Sequence, residues 1–183
     1  MVDDLVNDAK ERMAKSVDAT RTEFNTVRTG RATPALLDRI VVEYYGVPTP
    51  LQQMATVSSP DPRSLLIQPY DVNSLGDIEK AINESDLGIN PSNDGKVVRL
   101  AIPQLTEERR KELVKVVRGL AEEGRIAVRN IRRDVISDLH ELESEVGIDD
   151  IHRAEERVQK VTDEHVGQID ALLKQREADI MEV

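Results

Sequence analysis

The chain has 183 residues, a formal net charge of −10 and an aromatic content of 2%. A chain of this length can bury a substantial core, which must here be built from aliphatic side chains. Cysteine is absent, which excludes disulfides, thiol catalysis and thiolate metal sites. No apolar run approaches the roughly 20 residues that cross a bilayer, and the first residues do not resemble a signal peptide. We therefore expect a cytoplasmic protein without a membrane partner.

The first predicted element is a helix over about residues 3–28. Its apolar residues recur at steps of three and four, which predicts one buried face. We expect Asp3 or Asp4 to cap its start, and Gly30 to cap its end in a left-handed conformation. The predicted buried face consists of Leu5, Ala9, Met13, Val17, Thr20, Phe24 and Val27.

Residues 31–103 differ in composition from the segments on either side. All eight prolines of the chain lie between Pro34 and Pro103, and proline is excluded from helix interiors. A short helix is predicted to carry Leu75, Ile78 and Ile82. β-Branched and aromatic residues predict strands over residues 40–45, 51–57, 64–68 and 96–102, with turns at 46–50 and 90–95. The sequence thus predicts a small β/α/β domain over residues 31–103.

Two tyrosines adjoin in the first of these predicted strands. Because successive side chains of a strand point to opposite faces, Tyr44 and Tyr45 are expected on opposite sides of the sheet, one of them in the core. The other could stack on a nucleic-acid base or simply pack against its neighbours, and ordinary packing is the more frequent role.

Residues 105–146 are predicted to form one long amphipathic helix with an arginine-rich face. Between Arg109 and Arg133, nine lysines or arginines stand against three glutamates, which gives this segment a charge of +6. Gly124 departs from the pattern, since glycine inside a helix costs about 1 kcal/mol relative to alanine. The predicted buried face consists of Leu113, Val117, Leu120, Gly124, Ala127, Ile131, Val135, Leu139, Leu142 and Val146.

A last helix is predicted after Gly147, with Asp149 or Asp150 as its cap and an end near Ile180. Its predicted buried face consists of Ile151, Ala154, Val158, Val161, His165, Ile169 and Leu172. Three long helices with single apolar faces predict an elongated antiparallel three-helix bundle built from residues 1–30 and 104–183. The expected fold class is therefore α+β, with the small domain inserted into the bundle.

The arginines of the middle helix predict a nucleic-acid interface. Four of them lie within about 60° of one another around the helix and are expected to face water or a partner; they are Arg118, Arg125, Arg129 and Arg132. No acid occurs between Arg125 and Arg133, and the guanidinium group suits phosphate. Salt bridges with Glu122 would explain part of this face. Because the chain as a whole repels polyanions, docking should occur through this face alone.

Neither catalysis nor metal binding finds support in the sequence. None of the three histidines, His140, His152 and His165, has a second ligand at helical spacing. No glycine-rich phosphate loop follows a strand, and no serine or threonine has a recognisable base nearby. We expect no enzyme, no catalytic residue and no cofactor. A structural or chaperone-like helical rod is the alternative, although it leaves the proline-rich domain and the arginine face unexplained.

Five runs of residues resemble the bacterial ribosome recycling factors. They are residues 28–32 (Arg-Thr-Gly-Arg-Ala), 42–46 (Val-Glu-Tyr-Tyr-Gly), 85–91 (Ser-Asp-Leu-Gly-Ile-Asn-Pro), 105–111 (Leu-Thr-Glu-Glu-Arg-Arg-Lys) and 128–133 (Val-Arg-Asn-Ile-Arg-Arg). The resemblance implies a three-helix bundle with a hinged β/α/β domain, similar in outline to a transfer RNA. It also implies a translation factor that binds the post-termination ribosome. With elongation factor G and GTP, such a factor promotes splitting into subunits and release of messenger and transfer RNA.

The same resemblance implies which residues bind. In that family the bundle contacts large-subunit ribosomal RNA through arginines, and the matching residues are Arg28, Arg31, Arg129, Arg132 and Arg133, with Arg110 a weaker match. The chain passes twice between the predicted domains, and motion at such a junction is the default expectation. The predicted hinge comprises Thr29, Gly30, Arg31, Pro103, Gln104 and Leu105. We expect the chain to act as a monomer.

Overall fold

The computed structural model describes residues 1–182, so Val183, the last residue of the predicted bundle, lies outside the described residues. The chain divides into two compact units. The first unit comprises residues 1–28 and 107–182, and the second comprises residues 29–106. None of the helices in the described part of the chain combines the length and apolarity needed to cross a membrane.

Six helices and six strands make up the two units over residues 1–182. The helices are α1 (Val2–Thr26), α2 (Leu51–Met54), α3 (Leu75–Glu84), α4 (Glu107–Glu141), α5 (Glu143–Val146) and α6 (Ile148–Met181). The strands are β1 (Val41–Tyr44), β2 (Val47–Pro50), β3 (Ala55–Asp61), β4 (Ser64–Pro69), β5 (Pro91–Asn93) and β6 (Val98–Ala101). Two short 3-10 helices lie at Pro34–Leu37 and Val72–Ser74.

The first unit is a three-helix bundle of α1, α4 and α6. Ion pairs show the antiparallel course of α4 against both neighbours: Arg12 of α1 pairs with Asp134, and Arg118 pairs with Glu177 of α6. Aliphatic side chains fill the centre, as the sequence predicts. The buried residues of α4 are Leu113, Val117, Ala121, Gly124, Val128, Ile131, Val135 and Leu139.

The predicted buried faces of the helices are displaced at several positions. In α4, Leu120 and Ala127 are only half-buried, whereas Ala121 and Val128 lie in the core. The buried face still includes Gly124, where α1 approaches α4 so closely that a Cβ atom would overlap Thr20. By the same shift of one residue, Val6 replaces Leu5 in the core of α1. In α6, Thr162 is buried, while Val161 and Leu172 are half-buried.

The predicted ends of the long helices were wrong in several respects. The predicted helix over residues 105–146 is two helices, since a turn at Leu142 separates α4 from α5. α1 ends at Thr26 with an extended cap residue, Val27, and Gly30 does not adopt a positive φ. Gly30 is therefore not the cap of this helix. Gly147 does adopt a positive φ, 91°, and directly precedes α6.

The aspartates predicted as helix caps instead occupy first helical turns. Asp3 and Asp4 lie in the first turn of α1, and Asp149 and Asp150 lie in that of α6. No side chain caps either helix; the cap residues are Met1 and Gly147. A carboxylate in the first turn still interacts favourably with the positive end of the helix dipole.

The second unit contains a β-hairpin and a four-stranded sheet. β1 and β2 form the hairpin, and the sheet is antiparallel with the order β3-β4-β6-β5. The α+β class with a small β/α/β unit is confirmed, although three details differ. Residues 51–54, predicted to begin a strand, form α2; residues 47–50, predicted as a turn, form β2; and the predicted turn at 90–95 contains β5. The buried core includes Leu37, Val42, Leu51, Leu65, Ile67, Ile78, Ile82, Val98 and Leu100.

Candidate nucleic-acid interface

Two of the arginines on α4 connect this helix to α6. Arg118 Nε donates to Glu177 Oε1 at 2.6 Å, and Arg125 Nε donates to Asp170 Oδ1 at 2.7 Å. Only 19% of the Arg125 side chain is exposed. Burial alone would lower the pKa of Arg125, but the hydrogen bonds to Asp170 and Glu122 outweigh it, so the pKa is raised. Arg118 and Arg125 therefore bind the neighbouring helix, and the prediction that they face water or a partner was wrong for Arg125.

Three arginines further along α4 are much less neutralised. Arg129 Nη1 lies 3.4 Å from Glu122 Oε1, and the same carboxylate also accepts from Arg125 at 3.0 Å. Arg133 is exposed and makes no hydrogen bond or ion pair with any other described residue. Arg132 Nη1 donates to Gln159 Oε1 at 3.2 Å, and this acceptor carries no charge. The segment from Arg129 to Arg133 thus keeps most of its positive charge.

Gln159 of α6 holds the Arg132 side chain in place without neutralising it. The Gln159 amide is itself oriented, because its Nε2 donates to Asp163 Oδ1 at 2.9 Å one turn further along α6. A guanidinium that donates to a neutral acceptor uses one of its N–H donors there. Its positive charge is not neutralised, so it can still bind an anion. Reasoning from the sequence did not identify Gln159, since only the fold brings residues 132 and 159 together.

The acid that follows this segment is also engaged. Asp134 Oδ2 accepts from Arg12 Nη2 of α1 at 3.1 Å, and this hydrogen bond raises the pKa of Arg12. Asp134 is therefore paired on the α1 side of the helix and does not offset Arg133. Side-chain pairing thus leaves a basic surface over Arg129, Arg132 and Arg133 on an acidic protein.

The structure does not bring all six predicted RNA-binding residues into one cluster. Arg129, Arg132 and Arg133 lie within about one turn of α4, whereas Arg110 lies about 28 Å before Arg129 along the helix axis at ~1.5 Å per residue. Arg28 follows the end of α1 in the first unit, and Arg31 belongs to the second unit. The Nε of Arg110 is buried and has no hydrogen-bond partner among residues 1–182.

The histidines lie in ordinary packing and surface positions. His165 is buried in the bundle, and its Nδ1 lies 2.7 Å from the carbonyl oxygen of Val161. His140 Nε2 lies 2.6 Å from Glu155 Oε1 of α6. Within residues 1–182, no group of three or more histidine, aspartate or glutamate side chains is arranged to hold a metal ion.

The two adjacent tyrosines do not lie on opposite faces of a strand. β1 ends at Tyr44, and Tyr45 occupies the hairpin turn with a φ of 49°, so the strand alternation does not apply to it. Their rings meet edge to face at 4.6 Å. The Tyr44 hydroxyl donates to Asp71 Oδ2 at 2.9 Å, and the Tyr45 hydroxyl lies 3.5 Å from the same oxygen.

These hydrogen bonds shift the pKa values of Tyr44 and Asp71. The hydrogen bond to Asp71 raises the pKa of Tyr44 above its ordinary value of 10.0. The backbone N–H of Asn73, followed by the hydroxyl of Tyr44, lowers the pKa of Asp71 below 3.8. Both shifts favour the neutral phenol paired with the ionised carboxylate.

The sequence matches the family described as ribosome recycling factor over residues 20–181. The chain belongs to the ribosome recycling factor family. The ribosome-recycling factor of Kocuria rhizophila is 51% identical over 183 residues, which cover 99% of each chain. A match this long includes both units of the fold, so the family assignment does not depend on the helices alone.

Solved structures of the family agree with this assignment. A solution structure of a ribosome recycling factor is 41% identical, with a TM-score of 0.80 over 100% of this chain and 98% of that one. A second structure contains the T. thermophilus ribosome recycling factor and the E. coli elongation factor G bound to the E. coli post-termination complex. It is 47% identical, with a TM-score of 0.68 over the full length of both chains.

Proposed function

We propose that this protein binds the post-termination ribosome and, with elongation factor G and GTP, promotes its splitting into subunits and the release of messenger and transfer RNA. Full-length similarity to a recycling factor bound with elongation factor G to a post-termination complex supports this role. The basic surface of α4 carries the proposal for this particular chain: Arg132 and Arg133 pair with no acid among the described residues. A basic surface on an acidic protein directs docking to one face.

We propose large-subunit ribosomal RNA as the partner of this basic surface. Arg129, Arg132 and Arg133 form its centre, with Arg28, Arg31 and Arg110 as further contacts. Guanidinium groups bind phosphate oxygens with two parallel hydrogen bonds, and each neutralised phosphate releases condensed counterions. Binding should therefore weaken steeply as the salt concentration rises.

We also propose that the two units move relative to one another during the reaction. The hinge would comprise Thr29, Gly30, Arg31, Pro103, Gln104 and Leu105, where the chain passes between the units. In support, a Cβ at Gly30 would lie 3.9 Å from Leu105 Cγ, so the two connecting segments lie side by side. Adjacent segments can bend about a common axis. Pro103 fixes its own φ, which leaves Gly30 as the more adaptable residue.

The protein would act without catalytic chemistry of its own. In this reaction the protein has to bind ribosomal RNA and transmit force. Elongation factor G hydrolyses the GTP. The chain would therefore act in the cytoplasm as a monomer, with no cofactor and no membrane partner. The alternative of a structural or chaperone-like rod does not account for Arg132 and Arg133, which pair with no acid among the described residues.

A subunit-splitting assay tests this proposal. Post-termination ribosomes, elongation factor G and GTP are mixed with the wild-type protein or with the double variant Arg132→Ala/Arg133→Ala, and subunits are followed by light scattering. The double variant should require a much higher concentration for half-maximal splitting. The matched control Arg118→Ala lies on the same helix but pairs with Glu177; it should split like the wild type. Splitting by the double variant at wild-type concentrations would refute the arginine interface, and no splitting by the wild type would refute the function.

A further inference from the structure

One acidic side chain lies on the same face of α4 as the basic surface. At about 100° per residue, Glu122 projects within about 20° of both Arg129 and Arg133 around the helix. Its side chain is 51% exposed, so it faces solvent rather than the bundle core. Along the helix axis it precedes Arg129 by about 10.5 Å, at ~1.5 Å per residue. RNA that docks on these arginines therefore brings its phosphates close to a carboxylate.

The Glu122 carboxylate bridges two arginines, only one of which has another acid. Its Oε2 accepts from Arg125 Nη1 at 3.0 Å, and its Oε1 lies 3.4 Å from Arg129 Nη1. Arg125 also donates from its Nε to Asp170 of α6 at 2.7 Å, and this second carboxylate neutralises it. Arg129 has no other acidic partner among residues 1–182. The negative charge of Glu122 is therefore left to Arg129.

Arg129 and Arg132 are thus held in different ways on the same surface. Arg132 donates to the neutral amide of Gln159, so its charge stays available to an anion. Arg129 instead meets a carboxylate, and its side chain is 46% exposed. A nitrogen–oxygen distance of 3.4 Å is longer than an ordinary hydrogen bond, and an exposed ion pair of this kind opens easily. An incoming phosphate therefore competes with Glu122 for the same guanidinium.

We propose that Glu122 is an internal competitor that limits the affinity of the basic surface for RNA, an inference that rests on the proposed function. In the free protein Glu122 pairs with Arg129. On docking, a phosphate takes its place and the carboxylate keeps only its bond to Arg125; on release, Glu122 pairs with Arg129 again. Affinity differences among variants of one interface lie mostly in the dissociation rate, so this competition speeds release. A factor that acts on many ribosomes has to leave each one after splitting.

Cosedimentation with vacant ribosomes tests this proposal through a gain of affinity. Glu122→Gln removes the charge but keeps an acceptor for Arg125 and Arg129. It should raise the affinity roughly 1.5- to 5-fold, the range expected for an exposed ion pair. The dissociation rate, measured by displacement with unlabelled protein, should fall by a similar factor. An unchanged or lower affinity would overturn the proposal.

Glu123→Gln is the matched control, because it changes the net charge by the same amount. Glu123 is exposed, lies beside Thr20 on the α1 side of the helix and makes no ion pair with any other described residue. Its substitution should change the ribosome affinity much less than Glu122→Gln does. Equal gains from the two variants would show an effect of net charge alone and would overturn the proposal.

Two further measurements separate competition from a structural role. In an Arg129→Ala background, Glu122→Gln should lose most of its effect, because no pair is left to open. In the otherwise natural chain, the gain should shrink as the salt concentration rises, since salt screens an exposed ion pair. A gain of the same size with and without Arg129, or at every salt concentration, would overturn the proposal.

A ribosome-free arm distinguishes failure of this inference from failure of the proposed function. The wild type, Glu122→Gln and Glu123→Gln are eluted with increasing salt from immobilised heparin, a polyanion. Glu122→Gln should elute at higher salt than Glu123→Gln, although the two variants carry the same net charge. This order would support the inference even where the wild type fails to bind ribosomes and the proposed function has failed. Coelution of the two variants would overturn the inference.

Discussion

Gly124 of α4 packs directly against Thr20 of α1. A Cβ atom at position 124 would overlap Thr20 Oγ1 and would also lie 3.2 Å from Ile169 Cδ1 of α6. Thr20 cannot easily rotate away, because it is buried and its hydroxyl donates to the carbonyl oxygen of Ser16 at 3.0 Å. The helix-breaking residue is therefore the one that allows the three helices to approach at this level.

We predict that Gly124→Ala destabilises the bundle although alanine is the better helix former. Overpacking of a core costs about 1–3 kcal/mol, whereas the gain in helix propensity is about 1 kcal/mol. The net loss, up to about 2 kcal/mol, should lower the melting temperature by up to roughly 8 °C in a chain of this size, measured by calorimetry.

Two further variants test this explanation. Thr20→Ala/Gly124→Ala removes the overlapping atoms and should recover most of the stability that Gly124→Ala loses. Gly119→Ala, on the same helix with open space around its Cβ position, should instead raise the melting temperature. Equal effects at positions 119 and 124 would contradict the packing explanation.

We predict that Gln159→Glu weakens ribosome binding without removing any arginine. The substitution places a carboxylate where Arg132 now has a neutral acceptor at 3.2 Å, so the new ion pair competes with phosphate. Cosedimentation with vacant ribosomes over a salt series should show lower affinity than the wild type. Gln159→Ala is the control, because it leaves Arg132 charged and unpaired and should retain affinity. Equal affinity of Gln159→Glu and the wild type would exclude Arg132 from the RNA surface.

Loss of a single phosphate contact should also change the salt dependence. For Arg133→Ala, the slope of log affinity against log salt should become shallower by about 0.7–0.9. Because Arg133 has no partner among the described residues, its melting temperature should not change. Arg125→Ala should show the opposite behaviour, with an unchanged slope and lower stability, since it breaks the bonds to Asp170 and Glu122.

The Tyr44–Asp71 pair should make stability depend on pH at both extremes. The pKa of Asp71 is lowered, so its contribution is present above about pH 3.8 and is lost as the pH falls through the folded value. The pKa of Tyr44 is raised, so its contribution is present below about pH 10.0 and is lost as the pH rises through the folded value. Melting temperatures of the wild type and Asp71→Asn should therefore converge at both ends of a pH series. A constant difference across the series would contradict this linkage.

The proposed hinge can be tested because the natural chain contains no cysteine. Spin labels at Lys96→Cys and Glu164→Cys report on one exposed position in each unit. Their distance distribution, measured by electron paramagnetic resonance, should change when elongation factor G and GTP are added to the ribosome-bound protein. The control pair Glu164→Cys/Asp8→Cys lies within the first unit and should not change. Identical distributions for the first pair in both states would refute the hinge.

The spacing of apolar residues predicted the long helices well, because every turn of an amphipathic helix repeats the same pattern of apolar and polar positions. It failed at the level of single residues. Leu120 is a larger apolar residue than Ala121, yet Ala121 is fully buried and Leu120 is only half-buried. The end of α1 was misplaced for a related reason: a glycine near a helix end predicts a left-handed cap, but at Gly30 the chain has already left the helix at Thr26.

The basic surface could be predicted only in part. The absence of acids between Arg125 and Arg133 is visible in the sequence, but the acids that neutralise Arg118 and Arg125 lie 59 and 45 residues away. No local pattern distinguishes Arg125, which is bound to α6, from Arg132, which meets a neutral amide. The hydrogen bond between Tyr44 and Asp71 was missed because Asp71 lies 27 residues from Tyr44 and follows a different strand.

The bundle is interrupted in the chain by the whole second unit, and this has a consequence for its biosynthesis. α1 leaves the translating ribosome before its partners α4 and α6, which begin only at Glu107 and Ile148. A single helix is marginal in water without tertiary packing. Residues 29–106 are contiguous, so the small unit can complete its core during elongation. The apolar face of α1 cannot pack against α4 and α6 until almost the entire chain has been made. Until then, only chaperones or the ribosome surface can cover it.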